Sequence, residues 1–146
     1  MKRNSKIRRS AFTLIEVVVV IVILVMLASI ATPLYMNHVA KAKVSTAKAQ
    51  INLFDGALTD YQLDVGSYPE KLEYLVKNLD DNEKWKGPYL KPAAIPKDPW
   101  DNEYIYNLTD DGGTKYEIIS YGADGKAGGT GNDADISNRD GEEDKE

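Results

Sequence analysis

The sequence predicts an α+β protein, with one long N-terminal helix packed on a small antiparallel sheet and a glycine-rich loop near the C-terminus. Three observations predict it. Residues 17–36 form an uncharged apolar run, VVVVIVILVMLASIATPLYM. Beyond it Val44, Ala47, Ile51, Phe54, Leu58, Tyr61 and Val65 alternate spacings of three and four, which is the period of a single helix face. Further on, two Tyr- and Ile-rich runs, Glu103 to Leu108 and Lys115 to Tyr121, flank the turn sequence Asp110-Asp111-Gly112-Gly113.

The apolar run is long enough to cross a hydrocarbon core of about 30 Å as a helix. Lys2, Arg3, Lys6, Arg8 and Arg9 precede it with no acid among them. The expected orientation therefore leaves the N-terminus cytoplasmic and everything after about Tyr35 outside. A cleaved secretory signal is the competing reading. The run exceeds the roughly 7–15 residues of such a core, and the helical pattern continues past it rather than breaking at a small-residue site. Glu16 stands at the front of the run, where an ionised acid is costly and calls for a partner.

Within the helix, Pro33 removes a backbone donor, so a kink or a locally melted turn is expected there. Gly66 supplies the stop and Ser67-Tyr68-Pro69 turns the chain. The apolar stripe mixes Ala, aromatic and aliphatic residues, which suits packing on the chain's own sheet better than a coiled-coil seam. Leu72, Leu75, Val76 and Leu79 mark a short second helix. Pro88, Pro92, Pro96 and Pro99 then forbid regular helix or central strand and imply an ordered loop. Trp100 reads as a packing anchor. The two Tyr- and Ile-rich runs read as a hairpin.

Residues 121–136, YGADGKAGGTGNDADI, hold five glycines and the three carboxylates of Asp124, Asp133 and Asp135. Glycines let a loop turn its carbonyls inward, and calcium takes six to eight oxygens from such carbonyls and carboxylates. Magnesium demands a stricter octahedron and keeps its waters. The spacing is not that of an EF-hand, because Lys126 occupies the third position. Gly128 to Asp133 matches one copy of a calcium-binding nonapeptide, whose fold needs several stacked copies. On residue chemistry alone, a calcium loop and a solvated acidic loop stand as alternatives. After Ile136 the tail SNRDGEEDKE is polar and acidic, and disorder is expected.

Composition narrows the function classes. A net charge of -5 provides no basic footprint for nucleic acid. The absence of cysteine removes disulfides, thiolate zinc sites and cysteine nucleophiles. His38, the only histidine, lies on the membrane-proximal helix with no pocket implied around it, so a histidine-based triad is not expected.

Ser-Ala-Phe-Thr-Leu-Ile-Glu, residues 10–16, after a short basic leader and before an apolar helix, resembles the leader of type IV pilins and pseudopilins. That resemblance implies cleavage by a prepilin peptidase between Ala11 and Phe12, with methylation of the new terminus. Ala11 departs from the usual Gly. The resemblance also implies that Glu16 attracts the N-terminus of a neighbouring subunit during assembly. Lys-Asp-Pro-Trp-Asp-Asn-Glu-Tyr, residues 97–104, and the C-terminal loop resemble the G-type, or major, pseudopilins of type II secretion systems. By that resemblance calcium would be held by Asp124, Asp133, Asp135 and backbone oxygens including that of Tyr121.

The implied organisation is a leader at 1–11, a transmembrane helix at 12–36, a periplasmic head at 37–136 and a disordered tail at 137–146. The implied function is a non-enzymatic subunit anchored in the bacterial inner membrane. It would polymerise with its own copies into a periplasmic filament that drives export of folded proteins, alongside minor pseudopilins and the inner-membrane assembly platform. A type IV pilin or a minor pseudopilin is the alternative within the class. A monomeric anchored calcium-binding or enzymatic domain is the alternative outside it, and would need a convergent pocket of titratable groups.

Overall fold

The structure is a computed structural model that describes residues 12–91, 93–108 and 115–140. Its first element, α1, spans Leu14–Val65 and is 52 residues long. Contacts divide the chain into two compact units, Met1–His38 and Val39–Glu146.

In the N-terminal unit every described side chain from Phe12 to His38 is exposed. One window of α1 is apolar enough to cross a membrane, and none of it is buried within the chain. Burial therefore has to come from lipid or from other molecules. Two hydroxyls of the apolar run donate within the helix, as an apolar medium favours: Ser29 Oγ to the Met26 carbonyl at 2.7 Å and Thr32 Oγ1 to the Ala28 carbonyl at 2.7 Å. The helix runs through Pro33 without a break, so the melted turn expected there is absent. A single missing donor leaves the bonded turns on both sides intact, and helix propagation is cooperative.

In the C-terminal unit the stripe behaves as its spacing requires. Ala47, Ile51, Phe54, Leu58 and Tyr61 are buried, Ala57 joins them, and Val44 and Val65 pack at the margins. α1 ends on Gly66 at φ 102°, whose N–H donates to the Gln62 carbonyl at 2.8 Å. This is a left-handed C-cap of the kind glycine favours. The expected second helix is only a 3-10 turn, Leu72–Leu75, which buries both leucines while Leu79 stays exposed. Leu72 and Leu75, three apart, are enough for one turn against the core, whereas Val76 is only partly covered and Leu79 is exposed, so neither extends the buried face.

Strands β1 (Ile105–Leu108) and β2 (Tyr116–Ser120) form the expected hairpin, with Ile105 opposite Ile119 and Leu108 opposite Tyr116. The turn sequence 110–113 lies outside the described residues. A third strand, β3 (Ile136–Ser137), pairs antiparallel with β2 and completes the order β1-β2-β3. Disorder expected from residue 137 onward is thus corrected for Ser137–Asp140. Ile136 is buried, Asn138 donates its N–H to the Ile118 carbonyl and accepts the Ile118 N–H on Oδ1, and Ser137 N–H donates to Asp140 Oδ2. Residues 141–146 lie outside the described residues.

Tyrosines tie the sheet to the helix and to the chain that leaves it. Tyr104 donates to Gln50 Oε1 at 2.6 Å, Tyr106 to the Pro69 carbonyl at 2.8 Å and Tyr116 to Asp55 Oδ1 at 2.9 Å. Each ring thereby buries its apolar body while its hydroxyl keeps a partner. Phe54 and Tyr104 meet edge to face with centroids 5.1 Å apart. Trp100 packs at the core margin as expected, with Lys43 Nζ 5.8 Å from its ring centroid.

Leu58 is fully buried at the centre of this core, so Leu58→Ala is expected to cost about 2–5 kcal/mol of stability, read as a lower urea midpoint. Burial pushes the phenols of Tyr104, Tyr106 and Tyr116 well above their ordinary value, and the bond to Asp55 adds to the effect at Tyr116. A raised folded-state value favours the neutral phenol in the folded chain. That stability is complete below about pH 10 and is lost as pH rises beyond it. Thermal melts of the wild type from about pH 8 to about pH 11 should therefore fall at the alkaline end, and a Tyr106→Phe variant should fall less steeply.

Candidate functional site

The N-terminal end of α1 carries the residues on which the expected processing and assembly depend. Thr13 caps the helix, its Oγ1 accepting the Glu16 N–H at 3.3 Å. Thr13 and Glu16 have the spacing of a capping box, a signal legible in the sequence itself. The placement puts the Glu16 carboxylate in the first turn, where the helix macrodipole favours an anion. Glu16 also borders a shallow groove with Phe12, Val17, Val20 and Ile21. Phe12 is 79% exposed, so among the described residues nothing covers its ring. Ala11 lies outside the described residues.

The C-terminal loop leaves β2 at Tyr121, which is half-buried. Gly122 is buried at φ +65°, and a Cβ there would stand 2.8 Å from the Asn132 carbonyl oxygen and 2.9 Å from that of Ala134. Only glycine admits both the backbone angle and the close approach. Gly129, at φ +93°, is similarly pressed against the backbone of Asp133. The two ends of the loop are joined by the Ala123 N–H donating to the Asn132 carbonyl at 2.9 Å. Carbonyls from the far arm are thereby crowded toward the near one.

The four sequence-selected residues do not play equal parts. Asp124 is exposed, its Oδ1 accepting the Lys126 N–H at 3.1 Å. Asp133 is exposed at the end of a 3-10 turn, Gly131–Asp133. Asp135 reaches inward, where Oδ2 accepts the Gly128 N–H at 2.9 Å and Oδ1 is buried with no hydrogen-bond partner among the described residues. An unsatisfied buried acceptor costs about 1–3 kcal/mol, which a cation would offset. Among the described residues, no group of three or more His, Cys, Asp and Glu side chains is arranged to hold a metal ion. The donor set that fits an ion here is the Asp135 carboxylate with loop carbonyls.

Within residues 97–104, Asp98 and Asn102 join Ser120 of β2 in a network that no local pattern of the sequence marks as a whole. Asp98 is 5% exposed, and Ser120 is fully buried. Asp98 Oδ1 accepts the N–H groups of Trp100 and Asn102, and Oδ2 accepts the Ser120 hydroxyl at 2.6 Å. The Asp at a turn start was a legible signal for the local bonds. Its link to β2 was not.

The chain was compared with known proteins. The family model described as "Type II secretion system (T2SS), protein G" matches residues 34–139, and that of the prokaryotic N-terminal methylation motif matches residues 6–32. The chain is similar to the type II secretion system core protein G of Pseudomonas aeruginosa, 44% identical over 91% of this chain and 96% of that one. It is also similar to the core protein G of Vibrio cholerae, 40% identical over 90% of this chain and 92% of that one. Among solved structures, the major pseudopilin from the type 2 secretion system of enterohaemorrhagic Escherichia coli matches with a TM-score of 0.54 and 25% identity, covering 70% of this chain and 91% of that one. With the protein G model covering nearly all of the second unit and the methylation motif lying on the first, the chain belongs to the type II secretion system protein G family.

Proposed function

We propose that the chain is the major structural subunit of a type II secretion pseudopilus, anchored by α1 in the bacterial inner membrane with its head in the periplasm. The observation that carries this reading is the single helix that is wholly exposed over residues 14–38 and half-buried in a folded head beyond them. An exposed apolar rod requires lipid before assembly and other copies of itself afterwards. Prepilin peptidase would cut between Ala11 and Phe12, and the new ammonium of an incoming copy would meet Glu16 of a neighbour. Each charge is expensive in an apolar medium unless neutralised by the other. Such pairing gives the filament its register. The minor pseudopilins and the assembly platform of the secretion machinery complete the set of proposed partners.

Calcium fits the loop in the same reading. Asp135 would hold the ion with loop carbonyls, aided by the exposed carboxylates of Asp124 and Asp133 and by the Tyr121 carbonyl. The ion would supply a strong local charge that ties together the arms of a loop with little apolar burial, as disulfides do in other small exported domains.

Glu16→Leu is expected to leave cleavage intact, with mass spectrometry of membrane-extracted protein still showing a chain that starts at Phe12, while crosslinks between subunits are lost. Normal crosslinking in that variant would sink the assembly role. For the ion, saturation at about 100 times the Kd adds about 2.7 kcal/mol. A chelator should therefore lower the melting temperature of the wild type, and Asp135→Asn should abolish that response. A melting temperature indifferent to chelator would rule calcium out.

A further inference from the structure

Gly122 lies two residues past the end of β2, at the start of the C-terminal loop, and its two backbone polar groups are held by Ser120 and by Asn102, both of which bond to Asp98. Its N–H donates to Ser120 Oγ at 3.4 Å, and the Ser120 hydroxyl is oriented by its 2.6 Å bond to Asp98 Oδ2. Its carbonyl accepts the Asn102 side-chain amide, Nδ2, at 3.0 Å. Asn102 is itself fixed by Asp98: its N–H donates to Asp98 Oδ1 at 2.8 Å, and its carbonyl accepts the Asp98 N–H at 2.9 Å. The Asn102 amide also touches the loop one turn on, with Oδ1 at 3.2 Å from where a Cβ on Gly125 would lie.

We propose that Asp98, acting through Asn102 and Ser120, is the positioning residue of the C-terminal loop, setting the direction in which the chain leaves β2 and so where Asp124 to Asp135 stand. A buried carboxylate is costly and is retained only where its hydrogen bonds accomplish something a hydrophobe cannot. At this position a hydrophobe would fill the space and leave three donors unsatisfied. Fixing both the N–H and the carbonyl of a glycine at φ +65° removes the freedom that would otherwise make that residue a hinge. The loop arms beyond it then meet with less entropy still to be lost, which is how outer hydrogen bonds raise the affinity of a site they do not touch. The affinity consequence rests on the calcium reading above, whereas the positioning itself does not.

Hydrogen–deuterium exchange on the full chain in detergent, in chelator and again in excess calcium, tests the proposal with Asn102→Ala and Asp98→Asn. In chelator, Asn102→Ala should speed exchange across residues 121–135 about tenfold, equivalent to about 1.4 kcal/mol, and leave the α1 amides of residues 51–58 at the wild-type rate. Asp98→Asn should speed the same loop and the 98–102 turn as well. In calcium titrations each variant should bind about tenfold more weakly than the wild type. Loop exchange unchanged by either substitution in chelator overturns the proposal, as does an equal rise over the α1 core. If the wild type binds no calcium but the loop still responds to both substitutions, the positioning role stands and the ion reading falls.

Discussion

One helix has to satisfy two surroundings, and most of the molecule follows from that constraint. Over residues 14–38 the side chains of α1, most of them apolar, are all exposed, so nothing within the chain covers them. Past Val39 the same helix narrows its apolar surface to one stripe and gains a sheet to cover it. Each fully buried Ile, Leu or Phe on that stripe contributes about 1.5–3 kcal/mol, so Ile51, Phe54 and Leu58 dominate the head's stability. The strands are short, and β1 and β2 would be marginal as an isolated hairpin. Packing on α1 is what makes them persist.

Polar contacts decide how the sheet is placed on the helix. Apolar burial is non-directional and would tolerate several orientations of the hairpin. The hydroxyls of Tyr104, Tyr106 and Tyr116 each need a partner on burial, and those partners lie on α1 or just after it. Asp64 adds a smaller constraint at the far end of the helix. The Lys86 ammonium, 2.9 Å away, holds the Asp64 carboxyl below its ordinary range, and the Lys86 amine is raised in return. Lys86 is largely exposed, so that pair adds specificity more than stability.

The C-terminal loop is the part of the head least supported by apolar burial, and its order comes from backbone geometry. Its glycines at positive φ let the two arms approach, β3 closes the end of the segment on β2, and the Asp98 turn holds the beginning. A loop built in this way responds to small changes in charge or hydrogen bonding. That makes it a suitable place for an ion to act on the stability of a domain that has no cysteine to crosslink it.

By itself the sequence determined what depends on local order along the chain. The period of the stripe, the length of the apolar run, the glycine stop at Gly66 and the hairpin were all legible, because period, length and turn chemistry are properties of neighbouring residues. Legibility was poorer where a residue's role depends on something distant. Ile136 and Ser137 are too short a run to read as a strand, and they become one only because β2 offers an open edge. The three loop aspartates look equivalent in the sequence, yet tertiary structure alone sends Asp135 inward and leaves Asp124 and Asp133 exposed. Asp98 and Ser120 stand 22 positions apart, and their bond exists because the sheet and the preceding turn are packed together on one helix. No spacing rule reaches that far, since long-range hydrogen bonds are selected by the folded packing and not by the order of residues along the chain.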